Sequence, residues 1–447
     1  MKKILILGAG LSTNSLIEYL LNNAEEHDWK VIVGDINEEL ARKKVNGHPR
    51  GEAKIFDIKD ETESWRTVAD ADVVISMLPA FMHPMVAKKC IDLRKPMLTA
   101  SYASDQIKEL DEQAKKTGIP IIMELGLDPG IDHMSAMHVI NRIKEMGGEL
   151  TAFYSYTGGL VAPEYDNNPW NYKFTWNPRN VVLAGNGVSQ FIKQGKYKYI
   201  PYHRLFDSVR VLKRKILKYG DFEVYANRNS LKYREIYKLK DIQSMYRGTV
   251  RRPGFTKAWN VFVQLGVTDD SYIIEDSENM TYRQFFNAFM KYEPNVPVEI
   301  KIQDYCEDAN DPVVLEKLKW LGVFDNRKIG LKRATPAQIL QKLLEEKWTM
   351  DPQDKDMIIM QHEFNYKLDN EEKMIVSAMA VIGKDQEETA MAITVGLPLA
   401  ITTKLLLTGK IKGSGVMLPI KKQIYEPVLS ELETFGIRFE EKEYMLG

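Results

Sequence analysis

The chain has 447 residues, enough for two or three domains, and 44% of them are hydrophobic, as in ordinary globular proteins. A formal net charge of −1 provides no basic field for nucleic acid or an anionic membrane surface. Two cysteines, Cys90 and Cys306, make neither a disulfide framework nor a metal-ligand spacing. No apolar run reaches the roughly 20 residues of a membrane-spanning helix. The apolar N-terminal run is too short for a secretory signal, so a cytoplasmic location is expected.

Residues 4–7, Ile-Leu-Ile-Leu, read as a strand buried on both faces. Gly8-Ala9-Gly10-Leu11-Ser12-Thr13 follows, then a helical pattern through Leu16, Ile17, Leu20 and Leu21. In this strand–turn–helix Gly8 permits the tight turn. Gly10 lets backbone amides approach a pyrophosphate at the helix N-terminus. Thr13 departs from the third position of the Gly-x-Gly-x-x-Gly/Ala pattern. A second strand, residues 29–34, ends at Asp35, near the spacing of the acidic residue that binds the adenosine ribose. A carboxylate there accepts from the 2′-hydroxyl and repels a 2′-phosphate, and Ile36 adds no positive charge. NAD is therefore expected rather than NADP. The rival roles are a helix cap for Asp35 and, for Arg42, Lys43 and Lys44, a phosphate contact in place of the solvated helix face their pattern suggests.

Further strands are expected at residues 53–56, ending at Asp57-Ile58, at 72–77, followed by Leu78, and at 96–100, ending at Ser101-Tyr102. A sixth, 119–123, leads to Asp128. Helical patterns at 61–69, 84–93 and 104–116 separate them. This alternation predicts a Rossmann-type α/β fold with a doubly wound parallel sheet. His83, alone after the fourth strand, reads as a packed or solvated loop residue. Residues 124–133, Glu-Leu-Gly-Leu-Asp-Pro-Gly-Ile-Asp-His, form the most specified turn. Asp128 is biased to extended geometry by Pro129, Pro129 fixes its own φ, and Gly130 can take a positive φ. Asp128 is expected at the carboxyl end of the sheet, where open α/β folds bind ligands, ahead of a helix from about Asp132 to Met146.

Beyond this the rhythm changes. Residues 150–156 alternate like a strand with one buried face. Residues 166–177 are too polar for a core element and too aromatic for a linker, leaving a binding loop or a packed surface loop. A strand at 222–226 runs into Asn227-Arg228-Asn229-Ser230, where Arg228 is a candidate carboxylate clamp or a surface ion pair. A helix is expected near 255–265. Residues 268–350 read as a small helical subdomain whose apolar faces are either a homodimer interface or core. Strands return at 357–366 and 372–382. Residues 387–408 form an apolar helix, interrupted by Gly396 and Pro398, that must be buried. The expected division is a dinucleotide-binding domain at 1–130 completed by about 388–447, a mixed α+β substrate domain at 131–267 and 351–387, and the helical insertion at 268–350.

An ordered set of motifs runs through these elements: Thr-Ala-Ser-Tyr at 99–102, Gly-Leu-Asp-Pro-Gly-Ile-Asp-His at 126–133, Ser-Tyr-Thr-Gly-Gly-Leu at 155–160 and Asn-Pro-x-x-Tyr-Lys-Phe at 168–174. Asn-Arg-x-Ser at 227–230, Arg-Gly-Thr-Val at 247–250, Lys-Trp-Leu-Gly at 319–322 and Gly-Val-Met-Leu-Pro at 415–419 continue it. With the N-terminal glycine turn, this set resembles the saccharopine reductase family, the glutamate-forming saccharopine dehydrogenases of lysine metabolism.

The resemblance implies cofactor contacts at Gly8, Ala9, Gly10, Leu11, Ser12, Asp35, Asp57, Ile58, Met77, Leu78, Ala100, Ser101, Leu127, Asp128, Pro129 and Asn177. It implies substrate contacts at Ser101, Tyr102, Asp128, Arg228, Gly248, Thr249 and Val250, with Asp128 and Tyr102 as the catalytic candidates. The implied reaction interconverts saccharopine with glutamate plus 2-aminoadipate 6-semialdehyde through an imine, with hydride passing to or from a nicotinamide. Arg228 and the Gly248 and Thr249 amides would each take a carboxylate. Asp128 would hold an amine as ammonium or accept its proton, and Tyr102 would donate to a carboxylate or carbinolamine oxygen.

Two departures bear on this. Fungal relatives carry an Arg just past the second strand and use NADP, where this chain has Gly34-Asp35-Ile36; NADP enters only through the resemblance. Relatives often have Cys where this chain has Thr157, so a thiol acid–base role cannot apply. The alternatives are a related imine-reducing dehydrogenase, of carboxynorspermidine-synthase or lysine-dehydrogenase type, and a dinucleotide sensor without turnover. The expected partner is a small amino-acid substrate, with no nucleic acid, membrane or metal.

Overall fold

Apolar runs closed by glycine and polar turns become β1 (Lys2–Leu7), β2 (Trp29–Asp35), β3 (Gly51–Ile55), β4 (Val73–Ser76), β5 (Met97–Leu98) and β6 (Pro120–Ile122) in the computed structural model, which describes residues 1–184 and 186–446. Between and after them lie α1 (Asn14–Asn22), α2 (Glu38–Val45), α3 (Glu61–Ala69), α4 (His83–Asp92), α5 (Asp105–Lys108), α6 (Asp111–Thr117) and α7 (Ile131–Glu145). Ser104 and Asp60 cap α5 and α3 by accepting backbone amides, which is why those helices start where they do.

The chain continues through β7 (Glu149–Val161), α8 (Pro178–Val182), β8 (Ser189–Lys193), β9 (Lys196–Ile200), β10 (Leu212–Lys215), β11 (Asp221–Ala226), α9 (Lys232–Ile236), β12 (Ser244–Arg251) and α10 (Phe255–Leu265). Helices α11 (Tyr282–Asn287), α12 (Val298–Tyr305), α13 (Pro312–Leu321) and α14 (Pro336–Trp348) follow, and then β13 (Asp356–Leu368) and β14 (Glu371–Ile382). It closes with α15 (Ala390–Leu407), β15 (Gly415–Met417), α16 (Lys422–Thr434) and β16 (Glu440–Met445).

Two compact units result. The first contains residues 1–148 and 379–440, the second residues 149–378 and the chain from 441 on. The first unit holds a seven-stranded sheet in the order β15-β6-β5-β4-β1-β2-β3, parallel throughout. This is the doubly wound order with one added edge strand, and its direction reverses between β1 and β4. Helix α15 is one continuous element despite Gly396 and Pro398. Gly396 lets it approach α1 closely, since a Cβ there would lie 2.8 Å from the Leu16 amide nitrogen. Its 18 residues have a mean hydropathy of 1.8, the length and composition of a membrane span, and 72% of them are buried.

The second unit holds a nine-stranded mixed sheet whose main path runs β10-β11-β12-β7-β13-β14-β16, with β8 and β9 branching from β12. Only the β12–β7 pairing is parallel among the registered pairs.

The division differs from the expected one in three places, each for a packing reason. Helix α7 belongs to the first unit, where Asn141 Nδ2 donates to Tyr425 Oη of α16 at 2.8 Å. The last strand belongs to the second, where the Leu446 amide donates to Glu372 O of β14. The helical stretch 268–350 is not a separate body, because Trp348 and the α10 aromatics share one cluster. Residues 168–174 supply that cluster's centre, so the surface-loop reading does not hold for them, while Trp176 and Asn177 at the end of the stretch stay exposed. Trp170 and Tyr172 are fully buried; Trp170 stacks on Phe262 and meets Trp348 edge-on. The polar residues do not prevent burial. Asn168 donates to Tyr172 O at 2.8 Å and accepts from the Trp170 amide at 2.9 Å, replacing the hydrogen bonds a strand would supply.

Candidate active site

In the first unit, the segments that leave β1 to β6 all lie at the carboxyl edge of the sheet. After β1, Gly8 adopts φ +103°, and a Cβ there would stand 2.9 Å from Met77 O after β4. Only glycine allows this crossing at the point where strand order reverses. Gly10 has open space where a side chain would project, and a short 3₁₀ turn, Leu11–Thr13, leads into α1. The first amides of such a helix have no partner within it and point outward. Asp35 Oδ2 accepts from the Ala9 amide at 2.8 Å and Oδ1 from the Asn37 amide at 2.9 Å. It thus ties the glycine turn to the end of β2, while Asn37, not Asp35, caps α2. Leu11 and Ile36 are 82% and 77% exposed, an apolar rim beside an anion-ready turn. These features fit a dinucleotide, with pyrophosphate at the turn and adenosine over the rim.

The other expected cofactor positions divide. Met77, Leu78, Ala100 and Ser101 are partly exposed at the ends of β4 and β5, and Asp57 is exposed after β3. Ile58 is buried in the apolar core with Val68 and Val86, so its side chain is not available to a ligand. Leu127 and Pro129 are also buried, leaving Asp128 as the accessible member of that turn. The Asp128–Pro129 peptide is cis, and Gly130 has φ +150°. A Cβ on Gly130 would fall 1.9 Å from Gly126 O, so the turn closes only around glycine.

The loops after β5 and β6 are bound to each other. Tyr102 Oη donates to Asp128 Oδ1 at 2.9 Å, with the phenol 40% exposed. Glu124, buried and at φ +62°, accepts from the Ala103 amide at 3.0 Å and lies 2.6 Å from His133 Nε2; its own amide donates to Ser101 O. Ser101 Oγ lies 2.7 Å from Nε2 of His83, which is itself buried. Burial pushes the His83 pKa down to about 4. Sequence reasoning assigned no role to Glu124, His133 or His83. Glu124 and His133 face each other across the 124–133 stretch, whose motif was their one available signal, whereas the partners of His83 come from other strand ends and no motif marked it.

In the second unit, Arg228 follows β11 at φ +33°, exposed and without an ion pair among the described residues; its carbonyl accepts from the Gln190 amide at 2.7 Å. The surface-ion-pair reading therefore does not hold, and backbone strain of this kind concentrates at binding sites. Gly248, Thr249 and Val250 lie inside β12, between β11 and β7. Their amides belong to the sheet ladder, so the expected carboxylate contact through the Gly248 and Thr249 amides is corrected. Gly248 and Val250 are buried, and Gly248 is needed because a Cβ would lie 2.3 Å from Val224 Cγ1. Thr249 alone of the three keeps an accessible side chain. Opposite it on β7 is Thr157, whose hydroxyl is buried without a partner among the described residues. Asn177 is exposed and caps α8, accepting from the Asn180 amide at 3.3 Å.

Two family models cover the chain, the saccharopine dehydrogenase NADP binding domain over residues 4–122 and the saccharopine dehydrogenase C-terminal domain over 126–437. The chain belongs to the saccharopine dehydrogenase family. It is 33% identical to the saccharopine dehydrogenase [NADP(+), L-glutamate-forming] of Saccharomyces cerevisiae, over 99% of both chains. It is 34% identical to the mitochondrial alpha-aminoadipic semialdehyde synthase of Mus musculus, over 98% of this chain and 47% of the mouse protein. The chain thus spans about half the length of the mammalian relatives it matches. The solved apo saccharopine dehydrogenase (L-Glu forming) from Saccharomyces cerevisiae superposes with a TM-score of 0.90 at 31% identity, covering 99% of this chain and 100% of that one. The family's dinucleotide-binding segment coincides with the glycine turn and parallel sheet.

Proposed function

We propose that the protein interconverts saccharopine with glutamate and 2-aminoadipate 6-semialdehyde, using a nicotinamide dinucleotide. The observation that carries this is the Tyr102–Asp128 pair, 2.9 Å apart at the carboxyl edge of the parallel sheet, in a chain of this family. A bound dinucleotide supplies or accepts the hydride. The chain's residues bind, orient and move protons. Asp128, whose partial exposure supports the reading, holds a substrate amine as ammonium or takes its proton. The Tyr102 hydroxyl orients that carboxylate and can turn to a substrate oxygen. Arg228, unpaired among the described residues, suits a carboxylate bidentately. Replacing it with Ala should raise the saccharopine KM more than it lowers kcat.

We read Asp35 as favouring NAD, since its remaining lone pairs suit a ribose hydroxyl and repel a phosphate. The cations of α2 are engaged elsewhere: Arg42 pairs with Glu38, Lys43 with Glu387, and Lys44 bonds Asn14. The fungal relatives and the matched domain are named for NADP, and the reading of Asp35 runs against them. Nicotinamide absorbance with saccharopine, and with lysine as a control, against NAD and NADP in parallel tests both statements. Saccharopine-dependent reduction without a lysine response is expected, faster with NAD. A much lower KM for NADP would overturn the Asp35 reading, and no turnover with either cofactor would overturn the substrate.

A further inference from the structure

Ser76 ends β4, His83 opens α4 and Ser101 follows β5, and the fold brings their side chains into one line. His83 Nδ1 lies 2.9 Å from Ser76 Oγ, and His83 Nε2 lies 2.7 Å from Ser101 Oγ. Ser76 and His83 are 0% and 1% exposed, whereas Ser101 reaches the surface of the site. Thr99 Oγ1 accepts from the Ser101 amide at 3.3 Å and stands 3.5 Å from His83 Nε2. Burial alone acts on the ring and keeps it neutral at pH 7. A neutral imidazole has one donor and one acceptor nitrogen, so the line has a direction.

One tautomer uses both short contacts fully. Nδ1 accepts from the Ser76 hydroxyl, and Nε2–H donates to Ser101 Oγ. In the other, the Ser76 hydrogen is buried without an acceptor among the described residues, and the Ser101 and Thr99 hydroxyls compete for one lone pair on Nε2; the first gives up only the longer, 3.5 Å Thr99 contact. Resting on the reading of Ser101 as a substrate contact, we propose that His83 is a positioning residue that turns the Ser101 hydroxyl hydrogen outward, as a donor to a ligand carboxylate. Ser76 selects the tautomer and the buried ring holds the serine rotamer before the ligand arrives. A hydroxyl that already accepts one hydrogen bond donates more strongly through the other. No sequence motif contains the three residues together, because they come from three separate strand ends.

Two measurements on the full chain test this. The first is side-chain ¹⁵N NMR of the histidines, with His83 assigned by its loss in His83→Gln. A neutral ring protonated at Nε2 is expected at pH 7, and protonation at Nδ1 would overturn the proposal. This readout is independent of turnover, so a wild-type protein inactive with saccharopine strikes the substrate reading and leaves the tautomer to decide this one. The second is the saccharopine KM of the wild type, His83→Leu, Ser101→Ala and the double variant. His83→Leu should raise KM about tenfold when Ser101 is present and by no more than about twofold when it is not. His83→Gln, whose amide nitrogen restores a donor, should recover most of the loss. Equal losses in both backgrounds would mean that His83 only packs, and would overturn the proposal. Should His83→Leu lose its cooperative melt, His83→Asn, which is polar but too short to reach Ser101, replaces it in the cycle.

Discussion

Asp128 is held from two sides: Tyr102 donates to it, and the glycine at 130 closes the turn beneath it. A carboxylate so fixed can exchange a proton with a substrate amine without searching for position. Asp128→Asn keeps the shape and removes the base. Its kcat for saccharopine oxidation should fall by about a hundredfold or more, read as nicotinamide absorbance at saturating substrate. The turn was legible in the sequence because Asp-Pro-Gly specifies backbone geometry locally. The supports behind it were not, since Glu124 and His83 bond residues on other loops, and a neutral buried His looks like any other His in a string of letters. His83 also makes a pH prediction. An unfolded His titrates near 6.5, and the folded ring near 4. Between those values the unfolded chain binds a proton that the folded chain refuses. The contribution is therefore whole above about pH 6.5 and is lost as pH falls toward 4, up to about 3 kcal/mol. Urea midpoints from pH 7 to 4.5 should fall more steeply for the wild type than for His83→Gln.

At the scale of elements, strands of the first unit could be read because a parallel sheet buried on both faces leaves continuous apolar runs. The shorter members were overextended: the fifth was read as 96–100, and only Met97 and Leu98 form the strand, with Pro96 and Thr99 adding backbone hydrogen bonds at its ends. Beyond Leu98 the chain already bends to deliver Thr99 and Ser101 to His83. The surface-loop alternative for residues 166–177 failed at Trp170 and Tyr172 for the opposite reason, because composition says nothing about where a polar group finds its partner. Asn168 uses its amide on the same segment, and the Trp170 indole donates to Lys317 O at 3.0 Å, so that ring enters the core with its polar atom satisfied, while the Tyr172 hydroxyl is buried without a partner among the described residues. Trp170→Ala should therefore behave as a core deletion. It should destabilise the protein by about 3–5 kcal/mol in urea unfolding, where a surface-loop residue would cost little.

For the molecule as a whole, chain order and spatial order part company. The first unit is built from residues 1–148 and 379–440, with more than half the chain folded elsewhere between them. What returns is structural. Helix α15 covers the apolar face of α1, α16 packs on α7, and β15 takes the open edge of β6. Tyr19 of α1 and Lys404 of α15 both bond Glu431 of α16, so three elements from the two ends of the chain meet at one carboxylate. The need for such a cover was readable from the amphipathic α1 and the largely apolar 387–408. Its fit was not, because it depends on Gly396 lying against the backbone of Leu16. Ending the chain at Ala378 would remove the cover, exposing Leu16, Ile17 and Leu20, which are otherwise at most 1% exposed. At about 25 cal/mol per Å² of apolar surface, losing a helix of this size removes more than the whole stability of an ordinary domain. The truncated chain should bind a hydrophobic dye, lose the first unit's cooperative melt and fail to quench on adding a reduced nicotinamide dinucleotide. A cooperative melt and full quenching would mean that the glycine turn and six strands suffice without the returning segment.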